Sequence, residues 1–364
     1  MGLSVTQLCL RDFRSYQSFR LELDPNLTVI VGPNAVGKTN VVEALQMTTA
    51  ADSFRKPQWV DTVRWGENEA LVELTAEGDG RLLEITLGIG LSGKREYRVN
   101  GKVRRKIAEV AGILPCVLFT PEDLRLVKDS ADKRRSALDS LGVQLSPSYR
   151  ALKGEYERLV KQRNAQLKER SMNVDVFETV TDRMIVVGAS FMAARLRLFN
   201  RINGKMSELY ENLSSGEILC SRYIPSWEIP ESETVAEEDV ALKLQGLSLS
   251  LRAEELSRGT TLFGPHRDDV LFEIDGRGAR SFSSQGQQRT IALAWKLAEV
   301  SVVKEISGQE PLLLLDDVMS ELDQKRRNSL ALCVGEAAQT VITTTNLGYF
   351  DASLIDRAKV VTLP

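Results

Sequence analysis

Three stretches of the chain carry residue types and spacings suited to a nucleoside triphosphate. Gly32-Pro33-Asn34-Ala35-Val36-Gly37-Lys38-Thr39 has the form G-x-x-x-x-G-K-[ST], with Asn40 next in line. Wrapping a polyphosphate requires backbone N–H groups to turn inward, which glycines at sharp turns permit, and a helix N-terminus adds partial positive charge. Lys38 then reaches the β- and γ-phosphates and Thr39 offers its hydroxyl to Mg²⁺. Residues 32–40 are therefore the predicted ATP site, and Lys38 is also a predicted catalytic group. The second stretch, Leu312-Leu313-Leu314-Leu315-Asp316-Asp317, is an apolar strand ending in two acids. Asp316 is predicted to hold Mg²⁺ and Asp317 to polarise the attacking water. In the third, Ser284-Gln285-Gly286-Gln287 opens a helical run with small and amide side chains that suit a γ-phosphate. The same four residues also describe a capped helix start.

These groups need elements to hold them. The run Leu27-Thr28-Val29-Ile30-Val31 predicts a strand entering the phosphate loop, and Asn40 to Gln46 predicts a helix leaving it. Period-two alternation over Leu3–Leu10, Phe19–Leu23, Ala70–Thr75 and Arg81–Leu87 predicts further strands. Asn100-Gly101, between Arg95–Val99 and Lys102–Lys106, predicts a hairpin. From Pro121 the pattern becomes helical. Phe177, Met184, Phe191 and Leu198 recur every seventh residue, a seam that predicts a helical hairpin core of about three heptads rather than a long coiled coil. Pro225 to Asp239, rich in acids, predicts an exposed linker, and Val270–Ile274 with the turn Asp275-Gly276 predicts a returning strand. A helix over Gln285–Ile306, a charged helix from Gln324 and a strand over Thr340–Thr343 complete an α/β chain whose two ends enclose a helical insertion.

Composition narrows the partners. No apolar run approaches the ~18–20 residues of a membrane span, so a cytoplasmic protein without a membrane partner is expected. The four cysteines lie far apart, which excludes a zinc pair or disulfide framework and predicts buried thiols. A net charge of −3 leaves DNA binding to local clusters, of which Arg55-Lys56 and Lys133-Arg134-Arg135 are the candidates; Arg104-Arg105-Lys106 and Lys325-Arg326-Arg327 are two more. His266, the single histidine, fits either a packing role or the nucleotide or dimer face.

The position of Ser284–Gln287 ahead of the Asp316 strand resembles the signature motif of ATP-binding cassettes and of structural-maintenance-of-chromosomes heads, and Ser320-Glu321-Leu322-Asp323 resembles their D-loop. More specifically, Leu10–Tyr16, Gly32–Asn40, Ser53–Arg55, Phe119–Asp123, Gly264–Asp269, Ser284–Arg289 and Leu314–Asp323, in this order, resemble the RecF family of bacterial recombination mediators. That resemblance implies a discontinuous cassette-type ATPase head over residues 1–119 and 258–364, with a helical lobe over 120–257. It further implies a homodimer formed with ATP, with Ser284, Gln285, Gly286 and Gln287 closing on the nucleotide of a second copy. Double-stranded or gapped DNA is the implied ligand, and RecR the implied partner in loading RecA. The rival classes, a transporter's nucleotide-binding subunit and a structural chromosome protein, predict a switch histidine or much longer coiled coils. Two departures stand out. Ala35-Val36 occupies a place where the family often has Gly-Gln, so a left-handed residue 35 would be strained. Asp316-Asp317 and Thr343-Thr344-Thr345-Asn346 supply neither Asp-Glu nor a histidine, which predicts slow hydrolysis.

Overall fold

The computed structural model describes residues 2–55, 58–106, 109–169, 173–214, 216–227, 236–336 and 339–364, with backbone alone at 332, 333, 335 and 336. Lys56 and the Cys333 side chain lie outside the described residues. The chain forms two compact units, Met1–Arg125 with Arg289–Pro364, and Leu126–Gln288.

The first unit holds two sheets. The five-stranded one is parallel, in the order Lys359–Thr362, Leu27–Val31, Thr340–Thr344, Leu312–Asp316, Cys116–Phe119. Its three central strands are buried at nearly every residue, and they accordingly read as apolar or threonine runs rather than alternating ones. The six-stranded antiparallel sheet runs Tyr16–Glu22, Ser4–Phe13, Glu69–Gly78, Arg81–Gly90, Arg95–Val99, Lys102–Arg104. Here burial alternates, as in Glu69–Gly78, because one face packs on the core and the other meets water. Asn100 and Gly101 turn the last hairpin with φ 48° and 74°, as the Asn-Gly pair predicts.

One amide joins the sheets. The buried Gln339 side chain accepts from Val5 N at 2.6 Å, donates to Val5 O at 2.6 Å and donates to Asp24 O at 2.8 Å. It serves the backbone of Ser4–Phe13 as a neighbouring strand residue would, beside the irregularity in that strand between Val5 and Gln7.

The second unit is built on the helices Ala131–Leu145, Pro147–Leu167, Val174–Leu213, Glu237–Ser250 and Arg252–Arg258. Ser146 caps the second of these, accepting from Tyr149 N at 3.2 Å with Pro147 in the first turn. The seam Phe177, Met184, Phe191 and Leu198 is buried along the Val174–Leu213 helix. A three-stranded sheet, Arg277–Gly278, Asp269–Ile274, Leu219–Ile224, completes the unit.

Three expectations are corrected. The boundary at 257/258 falls instead between Gln288 and Arg289, because Asp269–Ile274 pairs with Leu219–Ile224 of the lobe. The linker read over Pro225–Asp239 already turns helical at Glu237, and its residues 228–235 lie outside the described ones. Of the cysteines, Cys116 is buried, Cys9 is half-buried and Cys220 is exposed.

Candidate nucleotide site

The phosphate loop leaves the strand Leu27–Val31 and enters the helix Lys38–Thr49. Gly37 stands at the helix start with φ 112° and ψ 4°, and a Cβ there would lie 2.7 Å from the Tyr16 hydroxyl, so both conformation and space require glycine. Ala35 has φ 65°, the left-handed option that a side chain disfavours. Lys38 is buried and its Nζ donates to the carbonyls of Gly32 at 2.7 Å and Pro33 at 2.8 Å, which curls the loop around its own ammonium. Pro33, Asn34 and Ala35 are exposed at the rim, with Val36 half-buried behind them.

The carboxylate strand lies one strand away from the loop's strand. Thr39 Oγ1 donates to Asp316 Oδ1 at 3.1 Å across 277 residues of sequence, and Thr343 Oγ1 donates to the same oxygen at 2.7 Å. Burial lifts the Asp316 carboxyl above its ordinary range, and these two hydroxyls and the charge of Arg55 draw it back. A carboxylate and a hydroxyl in contact form a hard-oxygen pair of the kind Mg²⁺ prefers. Asp317 takes φ 51°, its N–H held by the Thr343 carbonyl at 3.1 Å and hydroxyl at 3.0 Å, and its Oδ1 is buried without a hydrogen-bond partner. Burial raises its pKa while Lys38 lowers it. Ser320 Oγ donates to the Asp317 carbonyl at 2.8 Å, fixing the turn beyond the acids.

A second layer was not legible from the motifs. Glu43, in the phosphate-loop helix and fully buried, receives Arg14 at 2.8 and 3.0 Å, Ser53 at 2.7 Å and Arg55 at 3.1 Å. Arg55 also donates to Asn40 Oδ1 at 2.8 Å, and Asn40 Nδ2 donates to Ser15 at 3.0 Å. Arg55 thus belongs to the frame of the loop. The one available signal was an acid at an inward position of an apolar helix.

The residues Ser284–Gln287 belong to the second unit. Ser284 N donates to Gln287 Oε1 at 2.7 Å and Gln287 N donates to Ser284 Oγ at 3.2 Å, a reciprocal cap on the helix Gln285–Ser307. Gln287 Nε2 is anchored on Glu217 Oε1 at 2.7 Å. Ser284 and Gln285 are exposed, Gly286 and Gln287 half-buried.

The basic cluster at 133–135 is corrected. Arg134 is buried, paired with Asp269 at 2.7 and 3.0 Å and donating to the carbonyls of Leu126 and Asp129, while Arg135 donates to the Asp268 carbonyl. Their guanidiniums are consumed within the lobe, which leaves Lys133 exposed. Arg326 and Arg327 are similarly occupied, by Asp323 and Thr290 and by the Met319 carbonyl. His266 is a packing residue: it shares a 2.8 Å hydrogen bond with Tyr156, and burial pushes its pKa down to about 4.

A phosphate loop and an acid-tipped strand on one parallel sheet, with a sheet and a helical lobe added, define a P-loop nucleotide-binding head. The RecF/RecN/SMC N terminal domain family model matches residues 4–362. The DNA replication and repair protein RecF of Synechococcus sp. (strain JA-3-3Ab) is 35% identical over 97% of this chain and 94% of its own, and that of Shouchella clausii is 37% identical over 96% and 94%. A solved structure of the recombination mediator protein RecF with ATPrS superposes with a TM-score of 0.89 at 29% identity, covering 96% of this chain and 94% of that one. The Pyrococcus furiosus Smc head, TM-score 0.56 at 17% identity over 99% and 93%, shares the fold. The chain belongs to the RecF/RecN/SMC N terminal domain family and, within it, to the RecF family.

Proposed function

We propose that this chain is an ATP-switched DNA-binding protein of recombinational repair, with slow ATP hydrolysis as its timer. The observation that carries this reading is the cluster of Thr39, Asp316 and Thr343 beside the unsatisfied Oδ1 of Asp317. Residues 32–40 bind the triphosphate through their backbone, and Lys38 exchanges its loop carbonyls for phosphate oxygens. Thr39 and Asp316 hold Mg²⁺, which when bound neutralises charge developing on the phosphates. Asp317 Oδ1 accepts a hydrogen bond from the attacking water and orients it. Slow turnover follows from the short reach of aspartate and the absence of an imidazole in Thr343–Asn346.

In the same proposal, Ser284, Gln285, Gly286 and Gln287 of a second copy complete the γ-phosphate site, supported by the exposed Ser284 at a helix start. ATP, bound better by the pair than by either copy, drives a homodimer that closes on double-stranded or gapped DNA and works with a RecR-type partner. Phosphate contacts come from exposed groups such as Lys133, and binding weakens with salt. Among the described residues no helix is long and apolar enough to cross a membrane. Sedimentation of wild type and Lys38→Met with ATP·Mg, with and without a gapped duplex, tests the reading. Wild type should dimerise with ATP and K38M should not; a wild type monomeric under every condition refutes the clamp.

A further inference from the structure

The lobe carries a helical face with nothing on it. Leu242, Leu249 and Leu256 are 66%, 68% and 44% exposed, among the most open large apolar side chains described. Between them, at positions one turn apart, stand Gly246 and Ala253, both exposed. The face is continuous although two helices contribute to it. Leu251, at φ −92° and ψ −2°, keeps a helical backbone, Leu251 N donates to Leu247 O at 2.9 Å, and Glu255 N donates to Leu251 O at 2.9 Å. The opposite side of the run is the one that packs inward, with Val240 and Leu244 each 1% exposed and Glu255 fully buried. The run is thus apolar on two opposed faces. Ordinary surface helices have one such face, and a second is a burden in water unless something covers it.

The spacing selects the cover. Leucines at 242, 249 and 256 occupy every seventh residue, with the small residues 246 and 253 set four before or three after them, the d and a positions of a heptad seam. We infer that this face pairs with the same face of a second copy of the chain, in antiparallel order. About a twofold axis between residues 247 and 248, Leu242 lies over the partner copy's position 253, an alanine, and Leu249 over its position 246, a glycine; symmetry repeats both layers. Each large side chain meets a small one, and an open face at Gly246, where a Cβ would find nothing within 4 Å, receives the knob. The polar flanks agree: Lys243 comes to a serine at 250 and Gln245 to an arginine at 252, so no like charges are opposed. A parallel pairing would instead stack leucine on leucine and glycine on glycine, leaving a gap at each small layer. A seam this short buries less than the ~1,000 Å² of a stable interface, so the contact is weak by itself and gains from being multivalent. A chain with one self-pairing face in the lobe and another closed by ATP assembles in runs of alternating contacts, which bear on DNA as an array.

Sedimentation velocity of the full chain without nucleotide, over a low- to high-micromolar series, reads the inference alone. Wild type should shift from monomer toward dimer. Leu249→Glu, at a position open enough to leave the fold unchanged by circular dichroism, and Gly246→Leu, which fills the hole, should each weaken the shift at least tenfold. Leu82→Glu, an equally exposed leucine elsewhere, should sediment as wild type. A wild type monomeric throughout would assign the face to a helix of some other protein, and a Leu249→Glu variant dimerising like wild type would assign the contact to another surface; either overturns the proposal. With ATP·Mg, Leu249→Glu should stop at the dimer where wild type goes on to larger species. Failure of Leu249→Glu to form even that dimer would count against the ATP clamp and not against the lobe contact.

Discussion

The lobe and the head each bury a set of charged side chains, and the two sets are finished to different degrees. In the lobe, Arg195 meets Asp139 at 2.9 Å through both guanidinium nitrogens and donates to the Pro265 carbonyl at 2.6 Å, while Tyr149 donates to Asp139 at 2.6 Å. Arg163 and Glu255, both fully buried, pair at 2.7 and 3.0 Å, with Thr181 and Thr261 taking the remaining guanidinium hydrogens and Phe177 and Phe263 stacked against it. These groups answer one another. At the head's sheet edge, Asp317 Oδ1 and the Tyr16 hydroxyl are buried without partners, and Ala35 and Asp317 hold left-handed backbones. Satisfied charge fixes a fold, whereas unsatisfied charge on a strained backbone is retained where a substrate supplies the missing partner.

That contrast can be broken by substitution. Asp317→Asn keeps the shape and tolerates a positive φ, so stability and ATP binding should hold while ATP turnover falls by about 10²–10⁴-fold, read by phosphate release. Arg163→Met should leave Glu255 buried and unpaired and cost about 3–5 kcal/mol in urea unfolding, most of it recovered in the double variant with Glu255→Leu. The His266 prediction is one of pH. Its folded pKa, near 4, lies below the ordinary 6.5, so unfolding takes up a proton and the neutral ring's stabilisation is lost as pH falls between those values. Relative to wild type, His266→Gln should therefore gain up to ~3 kcal/mol on going from pH 7 to pH 4. Asp268 sits close by with burial raising its pKa to about 6, an effect of opposite sign that the difference between the two proteins cancels. Least of all, Ala35→Gly should relieve the left-handed strain and raise stability by about 1 kcal/mol without weakening ATP binding.

The reach of sequence reasoning follows the same division. Lys38, Thr39 and Asp316 were legible because a phosphate loop and a buried parallel strand each impose a local pattern, and the parallel sheet then brings Thr39 to Asp316. The Arg14, Ser53 and Arg55 cluster on Glu43 was not, since its members gather by tertiary packing and leave no spacing in the chain. Arg134 misled for a related reason: a basic triplet on a helix shows its charge but not that one member points inward to Asp269. The helix Glu237–Ser250 escaped because leucines on two faces erase the one-sided periodicity by which a surface helix is recognised. The lobe boundary slipped because the pairing of Leu219–Ile224 with Asp269–Ile274 is nonlocal.

The amide of Gln339 has a mechanical meaning. Its carboxamide grips the antiparallel sheet at Val5 and the approach to the phosphate-loop strand at Asp24, and the next residue, Thr340, donates to Asn26 O at 2.8 Å and begins a central strand of the parallel sheet. A rivet of this kind lets no slip develop between the sheets, so a load applied to the outer face of the head reaches the strand that carries Thr343, and with it the seat of Asp316, as displacement rather than as give.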